Sequence, residues 1–271
     1  MRLATFRPPG ESTARAGEIR DGAAVAFADS VTVRERLQAG DRAPAGGEQW
    51  PLEEVTLLAP VPEPRAIYAI GLNYATHAAE TGGELPQFPI VFTKVPTAVA
   101  PPGGPVRCPA VVRRLDYEGE LAVVIGRDGE VGGYAVADDV SARDLQRREP
   151  QWTRAKGADT FCPYGPWITT PDEIPDPHRL RLRTWVNGEP RQDASTSDLI
   201  FGVDDLVAFL SETHTLRAGD LILTGTPSGV GMALDPPRFL APGDVVRIEI
   251  ESLGAIEHAV AAAPSRPAQA D

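Results

Sequence analysis

The chain has 271 residues, of which 42% are hydrophobic and 24% are charged, and this is the composition of an ordinary globular protein. Its formal net charge of −12 argues against nucleic acid and anionic membranes as partners, because both are bound through an excess of Lys and Arg. No apolar run has the length of a membrane-spanning helix, MRLATFRPPG shows no hydrophobic signal, and the two cysteines form no CxxC pair. We therefore expect a cytoplasmic protein.

The first 60 residues predict a small leading domain. They contain the short apolar segments RLATF and AAVAFAD, a helical candidate around VRERLQAG, and the loop-like stretch DRAPAGGEQWP. After the proline-rich linker APVPEPR, the segment AIYAIGLNY predicts a strand ending in a turn, and THAAE predicts one or two helical turns. We expect a second, larger domain over residues 61–262 and a disordered tail over residues 263–271.

The second region is rich in predicted strands. The apolar run from Leu121 to Gly126 is typical of a buried strand. RLRTWVNGEPRQD contains two alternating segments around Asn187-Gly188, a strong hairpin signal, and Pro190 places the second segment at a sheet edge. AGDLILTG and PGDVVRIEI predict further strands, with a helix over DDLVAFLSETHTL between them. Runs of strands with few, short helices predict an α+β fold dominated by β structure.

Two glutamates stand at the entrance of one predicted strand, in LDYEGELAVVIG. Residues i and i+2 of a strand point to the same face, so Glu118 and Glu120 would converge and repel each other unless something neutralises them. A second strand pattern ends at Asp138 and Asp139. Carboxylates at two strand ends suit a hard divalent cation, and oxygen-only ligation favours magnesium, manganese or calcium over zinc. The alternative is that the glutamates pair with the arginines preceding this segment.

Seven ordered segments resemble the motifs of the fumarylacetoacetate hydrolase family. They span about residues 62–262 and are GLNYATHAAE, FTKVPTAV, LDYEGELAVVIG, VADDVSARDLQ, QWTRAKGADTFCPYGPW, VNGEPRQDASTSDLIF and GDLILTGTPSGVG. The resemblance implies an α+β, β-rich fold, namely a mixed β-roll with a small N-terminal domain, and a homodimer. It also implies a magnesium or manganese ion held by three carboxylates, which by motif are Glu118, Glu120 and Asp139.

The resemblance also assigns three catalytic residues. In THAAE, His77 and Glu80 are three positions apart and can share one helical face. The family uses such a pair to activate water, because a carboxylate on one ring nitrogen raises the basicity of the other. Lys156, in WTRAKGADTF, matches the lysine that the family directs at the developing oxyanion or enolate of the substrate. Without the resemblance, these side chains would read as ordinary surface groups.

Three further residues are candidates for substrate binding. Arg143 and Gln146 would hold a carboxylate or keto oxygen, since the planar guanidinium of Arg binds carboxylates in a bidentate manner. The alternative for Arg143 is a structural salt bridge with Asp144 or Asp159. Thr226, in the glycine-flanked TGTPSG, matches a position that contacts substrate or metal in the family, although a plain turn would give the same pattern.

Position 138 departs from the family pattern, which usually has Asn there. The Asp138 of this chain would add a fourth negative group near the ion unless it turns away. Adjacent residues of a strand point to opposite faces, so we expect Asp138 not to be a metal ligand.

The chemistry implied is metal-assisted cleavage of a C–C bond in a small 1,3-dicarbonyl acid of the acylpyruvate or fumarylpyruvate type, with water activated by His77 and Glu80. Two alternatives use the same enolate without water: decarboxylation of an oxaloacetate-like acid, and isomerisation of an unsaturated 2-hydroxy dioate in aromatic catabolism. A non-catalytic binding or scaffold protein would be expected to lose His77, Glu80 or Lys156, and all three are present. The expected partner is therefore a small keto acid.

Overall fold

The strands of the described residues form two large β-sheets and one two-stranded sheet. The computed structural model describes residues 1–262, so the predicted disordered tail lies outside the described residues. The strands are β1 Arg2–Arg7, β2 Arg15–Arg20, β3 Ala23–Ala26, β4 Gln49–Pro51, β5 Thr56–Leu58, β6 Ile67–Gly71, β7 Ile90–Lys94, β8 Val99–Ala100, β9 Val106–Cys108, β10 Leu115–Asp116, β11 Gly119–Ile125, β12 Val131–Asp138, β13 Ser141–Ala142, β14 Cys162–Thr169, β15 Arg181–Val186, β16 Glu189–Ser195, β17 Leu221–Leu223, β18 Val245–Ile250 and β19 Gly254–Ala262. The helices are α1 Val33–Ala39, α2 Ala75–Thr81, α3 Arg143–Arg148, α4 Thr153–Lys156 and α5 Val203–Ser211.

The larger sheet has twelve strands within residues 1–262. Its main path runs in the order β4-β3-β2-β1-β14-β12-β11-β17-β6-β7, with β5 added beside β1 and β8 beside β14. Most neighbours are antiparallel, while β17 runs parallel to β6 and β8 parallel to β14. The sheet is therefore mixed and does not close into a barrel, which confirms the predicted α+β, β-rich fold.

The smaller sheet has the order β16-β15-β18-β19-β9 and contains the predicted hairpin. Asn187 and Gly188 connect β15 to β16 with φ angles of 52° and 78°, both in the left-handed region that a tight two-residue hairpin turn requires. Pro190 lies on β16, which is the edge strand of this sheet, as predicted. The hairpin prediction is therefore confirmed.

Burial along the strands follows the hydrophobic pattern of the sequence. Residues of β15 and β18 alternate between buried and more exposed positions, as expected for strands with one face in the core. Every residue of β11 is buried, which matches its continuous apolar sequence and its position between β12 and β17. The strand that follows the paired glutamates thus lies in the centre of the large sheet.

The helices are short, the longest being α5 with nine residues. α1 begins at the N-cap Thr32, whose side chain and that of Glu35 form a capping box, and ends at Gly40 with φ of 63°. Both α1 and α5 form where the sequence predicts helices, and THAAE lies within α2. Among residues 1–262, no helix combines the length and apolarity required to cross a lipid bilayer.

Residues 1–60 contribute β1–β5 and α1. Arg2 and Leu3 of β1 pair with Thr169 and Ile168 of β14, so the leading segment extends the large sheet. The division into domains at residue 60 stays a prediction, because hydrogen-bonded continuity of a sheet does not define a folding unit.

Truncation in the core should lower stability strongly. Leu182 on β15 is fully buried, and Leu182→Ala is expected to reduce the free energy of unfolding by about 2–5 kcal/mol through lost apolar burial and the cavity left behind. Leu85 is 59% exposed, so the matched change Leu85→Ala should alter it by less than about 0.5 kcal/mol. Urea denaturation of both variants checks this, and equal losses would contradict the assignment of Leu182 to the core.

Candidate active site

Glu118, Glu120 and Asp139 meet where two neighbouring strands of the large sheet end. Gly119, the first residue of β11, pairs with Asp138, the last residue of β12, and this pairing places the flanking carboxylates side by side. One oxygen from each of the three side chains lies within 4.8 Å of the others, and all three residues are buried. The structure thus brings together the three predicted ligands, which we call the carboxylate triad.

Two lysines neutralise part of the triad. Lys156 Nζ donates to Glu118 Oε2 at 2.6 Å and to Asp139 Oδ2 at 2.7 Å. Lys94 Nζ donates to Asp139 Oδ1. Lys94 belongs to the FTKVPTAV segment, yet sequence reasoning assigned it no role. Both lysines are buried, so each ammonium depends on these carboxylates for compensation.

Glu120 differs from the other members of the triad because it forms no salt bridge within residues 1–262. Its Oε2 accepts a hydrogen bond from the backbone N–H of Gly225 at 2.7 Å. Burial, together with the nearby carboxylates of Asp139 and Glu118, raises the pKa of Glu120 well above its usual value. Lys156 offsets this only in part, so the negative charge of Glu120 is disfavoured in the folded protein.

Glu118 and Lys156 are held in their charged forms. Burial would raise the pKa of Glu118, but Arg143 and Lys156 outweigh burial and hold the pKa below its usual range. Burial would lower the pKa of Lys156, but Asp139 and Glu118 outweigh it and raise the pKa. Lys156 is therefore a cation that can donate hydrogen bonds, and it cannot serve as a base near neutral pH.

The triad fits a hard divalent cation. Its donors are all carboxylate oxygens, which magnesium and manganese prefer, and it has no sulfur or imidazole donor of the kind that zinc prefers. The two lysines pair with Glu118 and Asp139 but not with Glu120. A bound cation would neutralise the negative charge of Glu120. The residues present therefore suit the ion that the resemblance implies.

Arg143 is anchored by a carboxylate that sequence reasoning missed. Its Nε donates to Asp116 Oδ2 at 2.8 Å, and its Nη1 donates to Gln146 Oε1 at 3.1 Å. Its Nη2 lies 2.6 Å from Glu118 Oε1 as an ion pair, but without the angles of a hydrogen bond. Asp116 is two residues before Glu118, so acids alternate at positions 116, 118 and 120. This alternation could have identified Asp116 as a residue of the site.

The alternative partners considered for Arg143 are not its partners in the structure. Asp144 Oδ2 accepts from the backbone N–H of Arg113 at 2.9 Å. Among the described residues, neither Asp144 nor Asp159 forms a salt bridge with Arg143, since the guanidinium faces Asp116 and Glu118 instead.

His77 and Glu80 form a hydrogen-bonded pair on α2. His77 Nδ1 lies 2.7 Å from Glu80 Oε1, and Glu80 Oε2 accepts from the backbone N–H of Gly229 at 2.9 Å. Glu80 is thus fixed on both oxygens. A carboxylate at Nδ1 favours the tautomer with the proton on Nδ1, which leaves Nε2 as a proton acceptor.

Thr226 belongs to a network that ties its loop to β11. Its hydroxyl donates to the backbone carbonyl of Gly119 at 3.0 Å and accepts from Gln192 Nε2 at 2.8 Å. Gln192 Oε1 also accepts from the backbone N–H of Gly119 at 3.0 Å. The hydroxyl hydrogen of Thr226 is therefore used within the protein, and a substrate contact by this residue stays a prediction. Gln192 had no local sequence signal.

Asp138 turns away from the triad, as its strand position predicts. Its Oδ1 accepts from the backbone N–H of Glu118 at 2.8 Å, and its Oδ2 lies 2.9 Å from His258 Nε2. Asp138 and His258 are both buried, and through the hydrogen bond to its backbone N–H they help to fix the position of Glu118.

A cavity of about 300 Å³ opens onto this cluster. The predicted site residues on its wall are His77, Glu118, Arg143, Gln146, Lys156 and Thr226. A larger cavity of about 730 Å³ lies beside β2 and α1, but it contains no member of the triad. We place the site at the smaller cavity because the buried ionisable groups converge there.

A buried carboxylate triad beside a cavity lined by ionisable groups has the character of an enzyme active site. Residues 66–261 match the sequence profile described as Fumarylacetoacetate (FAA) hydrolase C-terminal. The chain therefore belongs to the fumarylacetoacetate hydrolase family.

Two curated relatives share at least 40% of their aligned residues with this chain. An oxaloacetate tautomerase of Bacillus subtilis is 45% identical over 229 residues, covering 79% of this chain and 76% of its own. A mitochondrial oxaloacetate tautomerase of Xenopus laevis is 40% identical, covering 96% of this chain and 90% of its own.

Solved structures show the same fold over nearly the whole chain. The fumarylacetoacetate hydrolase of Exiguobacterium antarcticum has a TM-score of 0.85 and 36% identity, covering 96% of this chain and 99% of that one. A 2-hydroxyhepta-2,4-diene-1,7-dioate isomerase from Mycobacterium marinum has a TM-score of 0.80 and 38% identity, covering 97% of this chain and 98% of that one. The family therefore includes relatives named for hydrolysis, isomerisation and tautomerisation.

Proposed function

We propose that this chain is a divalent-metal-dependent enzyme that interconverts the keto and enol forms of a small 2-oxo acid of the oxaloacetate type. The observation that carries the proposal is the position of Lys156, a buried cation between Glu118 and Asp139 on the wall of the cavity. Such a group stabilises negative charge that develops on a substrate oxygen. The tautomerase relatives support this choice over the hydrolysis expected first from the sequence.

The ion proposed is magnesium or manganese, held by the carboxylate triad. Such an ion supplies Lewis-acid polarisation of a carbonyl when it is bound. With every group ionised, the four buried carboxylates of Asp116, Glu118, Glu120 and Asp139 exceed the three cations of Lys94, Lys156 and Arg143 by one charge. A divalent ion would reverse this excess to one positive charge, which favours an anionic substrate.

The protein's own groups have separate tasks in the proposed reaction. Tautomerisation moves one proton between C3 and the C2 oxygen, so it needs a group that accepts a proton and a group that stabilises the enolate. His77, with its tautomer set by Glu80, accepts the C3 proton at Nε2 and then returns it to the C2 oxygen, so the number of protons on the substrate does not change. Lys156 donates a hydrogen bond to the enolate oxygen, and Arg143 and Gln146 lie beside it on the wall to hold the C1 carboxylate.

Cleavage of a C–C bond in an acylpyruvate is the second candidate function. The hydrogen-bonded pair of His77 and Glu80 favours it, because the same geometry would let Nε2 take a proton from water. Decarboxylation of oxaloacetate would release carbon dioxide and leave the enolate of pyruvate, and dioate isomerisation would pass through a dienolate, so both reactions would use the same stabilisation of negative charge on a substrate oxygen. We also propose a homodimer, as the resemblance implies, and a cytoplasmic location, which the sequence features favour; the exposed Phe88 is suited to a subunit contact.

Substitution of His77 tests the proposed proton acceptor. His77→Gln should lower kcat/KM for oxaloacetate tautomerisation at least about 100-fold, because Gln keeps a hydrogen bond to Glu80 but cannot accept a proton. Magnesium affinity should stay unchanged, since His77 is not in the triad. The enol absorbance of oxaloacetate measures the rate, and calorimetry measures the metal affinity. The exposed His214 provides the control variant His214→Gln, which should behave like the wild type.

A panel of substrates decides between the two candidates. Release of pyruvate from an acylpyruvate at a higher kcat/KM than oxaloacetate tautomerisation would favour hydrolysis. The tautomerase proposal is rejected if the enzyme with magnesium or manganese does not exceed the uncatalysed rate for oxaloacetate. Full activity of His77→Gln would exclude His77 as the acceptor.

A further inference from the structure

Arg147 is a cation on the cavity wall that the proposed mechanism does not use. It lies on α3, four residues after Arg143, so both side chains project from the same face of the helix. Arg147 is exposed, and within residues 1–262 it forms no salt bridge and donates no hydrogen bond. By contrast, its neighbour Arg148 pairs with Glu149 at 3.0 Å and does not line the cavity.

The other cations of the wall already have carboxylate partners. Lys156 contacts Glu118 and Asp139, and Arg143 contacts Asp116 and Glu118. These two cations lie at the buried end of the site, whereas Arg147 lies at its exposed end. A substrate anion at the exposed end would therefore meet a guanidinium with no competing carboxylate among the described residues.

Much of the remaining cavity wall is apolar. Phe92 and Trp152 form an edge-to-face aromatic pair with ring centroids 5.3 Å apart, the Phe92 ring lies 5.1 Å from the Lys156 ammonium, and Leu72 adds apolar surface. A carboxylate placed against these side chains would lose hydration without gaining a hydrogen bond. Arg147 is the one group on this part of the wall that can offer two parallel N–H donors to it.

We propose that Arg147 binds the distal carboxylate of the substrate and makes the enzyme selective for dicarboxylic over monocarboxylic 2-oxo acids. The inference rests on the proposed function, because it assumes that the reacting keto acid lies against Lys156. Its C1 carboxylate and keto oxygen occupy the buried end, and the second carboxylate extends along the aromatic pair to Arg147. Because Arg147 is exposed, the contact is screened by salt and weaker than a buried pair.

The test compares oxaloacetate with its 4-methyl ester, which keeps the reacting keto acid and removes the distal charge. Each kcat/KM is divided by the uncatalysed rate constant of the same substrate, because the ester also makes the C3 protons more acidic. In the wild type with magnesium, kcat/KM should be higher for oxaloacetate than for the ester by about tenfold, the worth of one charge-assisted hydrogen bond. Arg147→Gln should remove this preference by raising KM for oxaloacetate, with kcat and the ester kinetics unchanged. Arg148→Gln is the matched control and should keep the wild-type preference.

Each outcome bears on one of the two proposals. Equal rates for both substrates in the wild type, or a preference that survives Arg147→Gln, would overturn the role of Arg147 while leaving the tautomerase proposal intact. Loss of the preference in Arg148→Gln as well would show a general charge effect and would also overturn it. If the wild type turns over neither substrate, the tautomerase proposal fails. Calorimetric titration of oxaloacetate and of its ester into the magnesium-loaded protein then decides the role of Arg147. Tighter binding of oxaloacetate that is lost in Arg147→Gln would support this role, and equal binding of the two compounds would overturn it.

Discussion

Glu120→Gln is expected to abolish divalent-cation binding and catalysis while leaving the protein fully folded. Gln keeps an oxygen that can accept from Gly225 but lacks the negative charge that an ion requires. Loss of the several kcal/mol that an ion contributes to charge stabilisation corresponds to roughly a 10⁴-fold fall in kcat/KM. Calorimetry with magnesium and manganese, together with the tautomerisation rate, measures both effects.

The same change should not destabilise the protein in the presence of a chelator. The pKa of Glu120 is raised on folding, so its carboxylate disfavours the folded state at pH values above the ordinary pKa of glutamate. Glu120→Gln removes that penalty. Thermal unfolding at neutral pH with chelator should therefore occur at the same temperature as in the wild type or higher, and the difference should shrink as the pH falls toward the ordinary pKa of glutamate.

Glu118→Gln is the matched control, since it also removes one carboxylate of the triad. Its pKa is lowered by Arg143 and Lys156, so its negative charge stabilises the folded state at neutral pH, and its loss leaves those cations with less compensation. We expect this variant to lose metal binding as well and to unfold at a lower temperature. Magnesium affinity and turnover within tenfold of the wild type in Glu120→Gln would contradict the metal site.

Lys156→Met should lower kcat for oxaloacetate about 10³-fold at saturating magnesium, with a smaller change in KM. The ammonium group contacts the triad and the cavity at once, so its loss removes charge stabilisation in the transition state. Metal affinity should not fall, because removal of a cation leaves Glu118 and Asp139 more negative. Steady-state kinetics and calorimetry on one preparation separate the two effects.

Lys94→Met is the control for Lys156→Met. Lys94 is equally buried and also contacts Asp139, but it does not line the cavity. Its loss should disturb the triad without removing a donor to the substrate, so kcat should fall much less. Equal losses in the two variants would mean that Lys156 acts only by holding Asp139.

The parts of the site that could be predicted from sequence are those with a local pattern. Glu118 directly precedes β11 and Glu120 is its second residue, while His77 and Glu80 are about one helical turn apart on α2. The spacing alone indicated that the members of each pair point the same way. The hairpin at Asn187 was equally local. Fold class followed from the succession of such elements, and the family resemblance supplied the third ligand.

Residues recruited through long-range topology could not be found in this way. Lys94 lies on β7 at the edge of the large sheet, and β11, β17 and β6 separate β7 from β12, the strand that ends just before Asp139. The two side chains nevertheless form a salt bridge. Gln192 comes from the other sheet to hold Gly119 and Thr226. The spacing of residues in the sequence does not predict such contacts, because they depend on the order of strands in a sheet.

The triad and the substrate-facing groups have different kinds of support. The triad is attached to β11 and β12, central strands with hydrogen-bonded neighbours on both sides. His77, Arg147 and Lys156 lie on α2, α3 and α4, which have only seven, six and four residues. A helix of one or two turns can be reshaped by substitution or insertion without breaking a strand ladder. Substrate preference can therefore diverge during evolution, or be altered by engineering of these helices, while the ion and its electrophilic chemistry are inherited unchanged.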